Sequence, residues 1–312
     1  MSTTPSTSDI SYTVVGERRL KDRGTVTAII LNRGGRQSRA EYLDRLLDLG
    51  VAHVITLLDP APHYDIEQLA SRSAYARFVT FSRPTTLGNQ INIASREVTT
   101  PRFLVLWSGM EPSSLTARVL SQIDEIGSLC VVPAFRTRQG ELAPTVVAPA
   151  FFGSKLRTIP VQPNSTGALS LYPYAMVGLY DRAKFELVGG FDERIENPYW
   201  QLLDFGFRAY LWGEQIAALP SLRVHLSRDL PAEDSTPDES YARFHLKNLA
   251  VRFVRDQGRL PRFLMVPFLL RSGMSMRSAL RTFGAARAWV RENRYRFVQD
   301  ARRVTELWEV EE

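Results

Sequence analysis

The sequence predicts an α/β fold: a mainly parallel sheet flanked by helices, followed by a helical C-terminal extension. Three observations support this prediction. Short apolar runs bounded by turn residues alternate with helix-length segments from residue 25 to residue 107. Such alternation is typical of βαβ units, whose right-handed crossovers bring the strand ends to one edge of the sheet. From about Ser240 onward, apolar residues recur at helical spacing.

Four strands and three helices are expected in the first 107 residues. The first helix places Tyr42, Leu43, Leu46 and Leu47 at helical spacing and ends near Gly50. The expected strands cover 25–31, 51–58, 76–82 and 103–107, and the expected helices cover 40–50, 65–74 and 87–98.

The fourth strand runs directly into a turn, because FLVLW at 103–107 is followed by SGMEP. An unbroken apolar run predicts a strand that is covered on both faces. In open α/β sheets, ligands bind beyond the carboxyl ends of such strands. The turn carries a single carboxylate, that of Glu111, so the sequence offers little other charge at this position.

The second half of the chain is expected to be less regular. Residues 136–175 are rich in Pro, Gly, Thr and Ser and predict long loops. The other expected elements are a helix at 114–127, a strand at 129–135, a helix at 202–214, a strand–turn–strand at 216–226, and helices at 241–258 and 275–304. We therefore expect a flexible N-terminal segment over 1–23, an α/β domain over 24–235 and a helical basic extension over 236–312.

Composition is that of a globular protein, with 44% apolar and 23% charged residues. The single cysteine, Cys130, excludes an intrachain disulfide and a zinc site with several thiolates, and its apolar surroundings predict a buried strand residue. The sequence shows neither a secretory signal nor an apolar run of membrane-spanning length, so a cytoplasmic location is expected.

Positive charge is concentrated near the C-terminus. Residues 243–303 hold 15 Arg and Lys against three acids, so this segment carries +12 and the rest of the chain −6 of the total +6. The excess indicates either an anionic partner or a solvated helical surface. Two interpretations of the segment stay open: docking on the body of the protein, or peripheral contact with the inner face of a membrane. Nucleic acid is not expected, since no recognition motif is present.

Two segments carry a resemblance to a known family. LYDRAKFELVGGFDER contains Gly189-Gly190-Phe191-Asp192-Glu193, and QLLDFGFRAYLWGE contains Asp204 and Arg208 on a predicted helix. Together they resemble the family 2 glycosyltransferases, which have a GT-A nucleotide-diphospho-sugar transferase fold with a Rossmann-like, mainly parallel sheet. G-x-G-x-x-G and P-loop motifs are absent from the sequence. The resemblance covers residues 25 to about 230.

The resemblance implies transfer of a sugar from a nucleotide-sugar donor to a hydroxyl acceptor, with inversion at the anomeric carbon. The acceptor would be a glycan or a lipid-linked molecule. Candidate site residues come from positions that match the family's motifs and, where the family's carboxylates are replaced, from the nearest carboxylate that remains. These are Asp204 as the catalytic residue, Asn32, Arg33, Asp59, Asn92, Ser108 and Arg208 for binding the nucleotide and donor, and Glu111 and His225 as metal ligands.

The chain departs from the family pattern at two places. The Asp-x-Asp that ends the fourth strand in the family, and that holds Mg²⁺ or Mn²⁺, is replaced by Trp107-Ser108-Gly109-Met110. A site with one carboxylate is weak for a hard divalent cation, and arginines from loops would be the alternative clamp on the diphosphate. The candidates are Arg33, Arg36, Arg83 and Arg136.

The second departure removes the general base of the family, because Gln201-Leu202 stand where Glu-Asp is usual. Asp204 is the nearest remaining carboxylate, and its alternative role is an ion pair with Arg208 at i+4. The sequence therefore leaves two functions open: an active transferase, or a pseudo-transferase that binds a nucleotide, a glycan or a protein partner without turnover.

Overall fold

The computed structural model describes residues 10–21, 24–32, 39–60, 65–152, 155–227, 233–306 and 308. The strands of the described residues are β1 Tyr12–Val15, β2 Val26–Leu31, β3 His53–Leu58, β4 Ala76–Phe81, β5 Arg102–Trp107, β6 Glu111–Pro112, β7 Cys130–Arg136, β8 Val146–Phe152, β9 Lys155–Val161, β10 Gly178–Asp181, β11 Ile216–His225, β12 Arg252–Phe253 and β13 Gly258–Arg259.

The helices lie between and after these strands. They are α1 Arg39–Asp48, α2 Ile66–Arg72, α3 Leu87–Glu97, α4 Ala117–Ile126, α5 Arg182–Leu187, α6 Pro198–Leu211, α7 Glu239–Phe244, α8 Met265–Arg271, α9 Met276–Glu292 and α10 Ala301–Glu306.

Nine of the described strands form one sheet in the order β1-β4-β3-β2-β5-β10-β7-β11-β6. The registers make β2, β3, β4, β5, β7 and β11 run in the same direction, while β1, β6 and β10 run against them. Every residue of β2 and β3 is buried, as expected for strands covered on both faces. The predicted α/β fold with a mainly parallel sheet is therefore confirmed.

The order in which strands are added reverses between β2 and β5. From β2 the chain adds β3 and then β4 on one side, whereas β5 pairs with the other side of β2, with Leu31 opposite Trp107. Ligands of open α/β sheets bind at such a switch point, beyond the carboxyl ends of the strands. This edge is where the fold itself predicts a site.

Several segments of the second half differ from the prediction. The expected loop at 136–175 contains the β8–β9 hairpin, which pairs apart from the main sheet and tolerates Pro149 and Pro160. The expected strand–turn–strand at 216–226 is one strand, β11, with a bulge between Leu219 and Arg223 that accommodates Pro220. The expected helix at 241–258 stops after α7 and one further turn, and its last residues form the β12–β13 hairpin.

Part of the N-terminal segment joins the sheet. Within the 1–23 segment, which was expected to be flexible, β1 pairs antiparallel with β4, with Tyr12 opposite Phe81. Ile10, just before β1, is buried in the core. Thus β1 covers the backbone edge of β4, which would otherwise be open to pairing with another chain.

The C-terminal residues dock on the body of the protein. Ala279, Phe283, Ala286 and Val290 recur on α9 at alternating four- and three-residue spacing, and all are buried. Trp289 of the same helix stacks on Trp212 with ring centroids 5.7 Å apart. Docking, one of the two interpretations of the basic segment, is therefore confirmed. Among the described residues, none of the helices has the length and apolar character to cross a bilayer.

Deleting residues 1–16 is expected to lower the free energy of unfolding by about 1–3 kcal/mol, because β4 loses its partner strand and Ile10 leaves the core. Deleting residues 1–9 alone keeps β1 and serves as the matched control. Urea unfolding of the two truncated proteins measures the difference, and equal stabilities would contradict a structural role for β1.

Candidate functional site

Three of the predicted donor-binding residues follow the strands that meet at the switch point. Asn32 follows β2, Asp59 follows β3 and Ser108 follows β5. The Ser108 backbone N–H donates to the Leu31 carbonyl at 2.8 Å, which fixes the turn after β5 beside the end of β2. Arg33 and Arg36 lie outside the described residues. The parallel strands thus bring Asn32, Asp59 and Ser108 to one edge of the sheet.

A pocket of about 240 Å³ lies beside this edge. Its walls come from Trp107 at the end of β5, from Leu87 at the start of α3, and from Tyr199 and Leu202 in the first turns of α6. The end of the fourth parallel strand and the helix of the second family motif therefore line a common cavity. Leu202 stands in it where the resembled family carries a carboxylate.

The loop before β10 closes the pocket with a strained backbone. Ala175 and Met176 line the cavity and adopt φ angles of 53° and 64°, in the left-handed region. The Trp107 indole Nε1–H donates to the Ala175 carbonyl at 2.9 Å and holds this conformation. Strain of this kind costs on the order of 1–3 kcal/mol per residue and is concentrated at functional sites.

Glu233 supplies a carboxylate to the pocket. Its Oε2 accepts a hydrogen bond of 2.8 Å from the Tyr172 hydroxyl. Its Oε1 is buried and has no hydrogen-bond partner among the described residues. Burial raises the pKa of the Glu233 carboxyl, and the hydrogen bond from Tyr172 offsets part of that rise. A carboxylate with one oxygen held and the other available has the form of a general base.

The start of α6 is tied to the loop that carries Glu233. Asn197 caps the helix by accepting from the Tyr199 N–H at 2.9 Å, and its amide donates to the Asp234 carbonyl at 3.1 Å. The Ser240 hydroxyl accepts from the N–H groups of Glu196 and Asn197, both at 3.2 Å. The positive end of the α6 dipole therefore faces the cavity beside Glu233.

Asp204, the predicted catalytic residue, lies in a closed ionic network behind this pocket. Its side chain has no exposed surface, and its Oδ2 accepts from Arg208 Nη2 at 2.9 Å. Its Oδ1 accepts from Lys247 Nζ and from Asn248 Nδ2, both at 2.8 Å. The ion pair with Arg208, the alternative role that the sequence suggested, is therefore present.

Asp192 of the GGFDE motif belongs to the same network. Its Oδ2 accepts from Lys247 Nζ at 2.5 Å and from Arg243 Nε at 2.8 Å. Burial by itself would raise the pKa of both aspartates, but Lys247, with Arg243 at Asp192 and Arg208 at Asp204, holds each pKa below its ordinary value. Both carboxylates are therefore ionised at neutral pH and neutralised by cations.

Arg208, predicted to bind the donor, is buried and directs its guanidinium at backbone. Besides Asp204, it donates to the carbonyls of Val188 and Gly190, on either side of Gly189. Asn92, also predicted to bind the donor, clamps the same turn, because its side chain donates to the Phe191 carbonyl at 2.8 Å and accepts from the Phe191 N–H at 2.9 Å. These side chains hold the motif rather than the edge of the sheet.

Gln201 stands at the family's base position and is fully buried. Its Oε1 accepts from the Gly88 N–H at 3.0 Å, and its Nε2 donates to the Asp192 carbonyl at 3.0 Å. Gly88 is required for this contact, since a Cβ at that position would collide with the Gln201 side chain. The position that carries a base in the family therefore joins α3 to the GGFDE turn in this chain.

Glu111 and His225, the predicted metal ligands, lie opposite each other on β6 and β11. Side chains at paired positions leave the sheet on the same side. Glu111 Oε1 already accepts from Arg45 Nη1 at 2.6 Å. Within the described part of the chain, no group of three or more His, Cys, Asp or Glu could hold a metal ion. One neutralised carboxylate and an imidazole do not fit the oxygen-rich shell that Mg²⁺ or Mn²⁺ requires.

Sequence reasoning missed Glu233. It lies in the segment AEDSTPDES, where four acids follow one another within seven residues, and no local pattern distinguishes one from the others. What distinguishes Glu233 is its contact with Tyr172, which is 61 residues away in the chain. Of two neighbouring aromatic residues on α6, Tyr199 lines the pocket, whereas Trp200 packs on Phe244 with ring centroids 5.7 Å apart.

These features define a GT-A-like glycosyltransferase fold, and comparison with solved structures supports that assignment. The structure of GalNAc-T7 with UDP, GalNAc and Mn²⁺ aligns with a TM-score of 0.53 and 14% identity, over 73% of this chain and 49% of that one. The structure of S. aureus TarS 1–349 with UDP-GlcNAc aligns with a TM-score of 0.50 and 13% identity, over 84% of this chain and 71% of that one.

The comparisons establish the fold and no more, because identity is far below the level at which function transfers. The chain spans about half the length of the GalNAc-T7 chain that it matches. No protein-family model and no curated protein matches the sequence. The GT-A-like fold predicted from the GGFDE motif is confirmed, and membership of family 2 stays a prediction.

Replacing Asp204 by Asn is expected to lower the free energy of unfolding by about 3–5 kcal/mol, because Arg208 and Lys247 lose a buried counter-charge. Glu111→Gln is the matched control, since it breaks an exposed ion pair worth at most about 1 kcal/mol. Urea unfolding at pH 7 measures both. An Asp204→Asn protein as stable as the control would contradict the structural role of the network.

The stability difference between wild type and Asp204→Asn should depend on pH. The pKa values of Asp192 and Asp204 are lower in the folded than in the unfolded protein, so their contribution is complete above the unfolded value near 4 and is lost as the pH falls below it. The stability gap between wild type and Asp204→Asn is therefore expected to narrow in acid.

Proposed function

We propose that this chain transfers a sugar from a nucleotide-sugar donor to a hydroxyl acceptor, with inversion, as a member of the family 2 glycosyltransferases. The donor's nucleotide would lie along the edge formed by Asn32, Asp59 and Ser108. Its sugar would enter the pocket between Trp107 and the start of α6. A volume of about 240 Å³ suits one sugar ring better than a whole nucleotide sugar.

The observation that carries this proposal is the buried, unpartnered Oε1 of Glu233 at that pocket. In the proposed reaction, Oε1 accepts the proton of the acceptor hydroxyl while the hydroxyl oxygen bonds to the anomeric carbon. The bond from that carbon to the diphosphate breaks, and the nucleoside diphosphate leaves with the electron pair. Tyr172 holds Oε2 and so orients the carboxylate.

Glu233 is a better candidate for the base than Asp204 for three physical reasons. Asp204 has no exposed surface, both of its oxygens are taken by cationic or amide donors, and its pKa is lowered. Each feature makes a carboxylate a poorer proton acceptor. Glu233 differs in the last two respects, because its pKa is raised and its Oε1 has no hydrogen-bond partner among the described residues.

The reaction also requires a positive charge that neutralises the leaving diphosphate. A divalent cation remains part of the proposal, and GalNAc-T7 was solved with Mn²⁺. The described residues do not fit that ion, which favours a cationic side chain from a loop beside the switch point instead. The α6 N-terminus adds a partial positive charge at the same place.

A second candidate function is binding without turnover. It is favoured by Gln201, which carries no titratable group and is committed to contacts with Gly88 and Asp192. A protein of this kind would hold a nucleotide, a glycan or a protein partner at the same edge. For either function we propose a cytoplasmic location at the inner face of a membrane, with a glycan or lipid-linked acceptor.

Replacing Glu233 by Gln is expected to lower the rate of sugar transfer, or of donor hydrolysis, by about 10²–10⁴-fold. Because the pKa of Glu233 is raised, this base should become protonated at a higher pH than an ordinary glutamate. The wild-type rate should therefore begin to fall at that higher pH as the solution is acidified, and the variant should lack this dependence. The matched control is Glu239→Gln, which removes an exposed carboxylate at the start of α7.

A panel of UDP- and GDP-sugars supplies the substrates, and calorimetric titration of UDP and GDP with and without Mn²⁺ measures binding separately. Nucleotide affinity should be equal in wild type and Glu233→Gln. Binding without turnover in the wild type would establish the second function, and the lack of any nucleotide binding would overturn the proposed sugar transfer. An increase of affinity with Mn²⁺ would show that the cation binds with the nucleotide.

A further inference from the structure

A second cavity, of about 820 Å³, is lined by residues between 252 and 294, none of which lines the proposed donor pocket. It is a groove between the β12–β13 hairpin, the turn at Arg262–Leu264 and helices α8 and α9. Six arginines line it: Arg252, Arg259, Arg262, Arg287, Arg291 and Arg294. Its apolar lining includes Leu260, Met265 and Phe283.

Among the described residues, no carboxylate neutralises the arginines of the groove. None of the six forms an ion pair with a carboxylate in the part of the chain that the structure describes. Arg259 and Arg294 donate to neutral oxygens, those of Gln257 and Tyr295. Residues 252–296 contain eleven arginines and two acids. The groove therefore carries a concentrated positive charge that attracts anions.

An apolar crest adjoins the groove. Phe263, Val266, Leu270 and Met276 are 66%, 58%, 81% and 72% exposed, although large apolar side chains are usually buried. The opposite side of this segment packs on α9, with the ring of Phe268 6.0 Å from that of Phe283. Phe263, Val266 and Leu270 recur every three to four residues and so share one face.

The crest and the groove are continuous. The Arg252 guanidinium, which lines the groove, lies 6.0 Å from the centroid of the Phe263 ring on the crest. A ligand that contacts both the arginine groove and the apolar crest must have an anionic layer next to an apolar layer. A soluble polyanion would leave the crest in water, and an apolar protein face would leave the arginines without counter-charges.

We propose that this surface docks on a bilayer that contains anionic phospholipid. Headgroup phosphates occupy the arginine groove, where guanidinium groups bind phosphate oxygens in pairs. Phe263, Val266 and Leu270 enter the boundary between headgroups and acyl chains, as the apolar face of an interfacial helix does. The inference specifies the membrane contact of the function proposed above, but it rests on residues outside the donor site and stands independently of catalysis.

Gly284 offers a variant that reaches the groove without disturbing the helix. It lies on α9 and lines the groove, and a Cβ at this position would meet no atom within 4 Å. Gly284→Glu places a carboxylate among the arginines and competes with phosphate. Gly284→Ala is the matched control, because it adds a methyl group in open space and favours the helix.

Flotation with vesicles of phosphatidylcholine alone, or mixed with phosphatidylglycerol, tests the proposal on the full chain. Wild type and Gly284→Ala should float with the anionic vesicles only, and less so as NaCl is raised. Gly284→Glu should bind about five- to tenfold more weakly. The double variant F263S/L270S should also bind more weakly, through loss of the crest. Thermal melts establish that each variant is folded.

Three outcomes would overturn the proposal: no flotation of the wild type, equal flotation of Gly284→Glu and Gly284→Ala, or equal flotation of F263S/L270S and wild type. Inorganic polyphosphate serves as a soluble anionic probe of the groove. Tight binding of polyphosphate without flotation would assign the groove to a soluble polyanion instead. Flotation of Glu233→Gln should match wild type, so failure of the proposed catalysis and failure of membrane docking are distinguishable.

Discussion

The buried ionic network of Asp192, Asp204, Lys247 and Arg208 is the interaction on which the rest of the structure depends. It joins three parts of the chain: the GGFDE turn, helix α6 and the first helical turns of the C-terminal region. Four ionised groups out of water are tolerated because each contacts an opposite charge. Further hydrogen bonds join Asp192 to Arg243, Asp204 to Asn248, and Arg208 to backbone carbonyls. Removing one charge leaves the others unbalanced.

Fixing α6 fixes the candidate site, since the same helix has its C-terminal half in the network and its N-terminal half in the pocket. Tyr199 and Leu202 line the cavity, while Asp204 and Arg208 lie behind it. The site therefore separates two tasks that the family motif places close together. Charged motif residues hold the scaffold, and a carboxylate from a distant loop, Glu233, faces the cavity.

A structural feature can be predicted from the sequence when residues close together in the chain determine it. Apolar runs predict β2 to β5, and the GGFDE motif predicts the GT-A-like fold, because strand burial and a tight glycine turn leave local patterns. The β8–β9 hairpin and the role of β1 leave none, since proline-rich or short strands are defined by their partners. Glu233 could not be predicted either, because burial against Tyr172 arises only on folding. The roles carried over from the family to Asn92 and Arg208 stay predictions, and their contacts are with backbone of the motif itself.

A structure of the chain with a non-hydrolysable nucleotide-sugar analogue bound would test the proposed donor site most directly. We expect the diphosphate above Asn32 and Ser108, and the sugar ring between Trp107 and Leu202. We also expect an acceptor path that ends within about 3–4 Å of Glu233 Oε1 and the anomeric carbon. A nucleotide bound away from the edge between β2 and β5, or a sugar out of reach of Glu233, would contradict the proposed site.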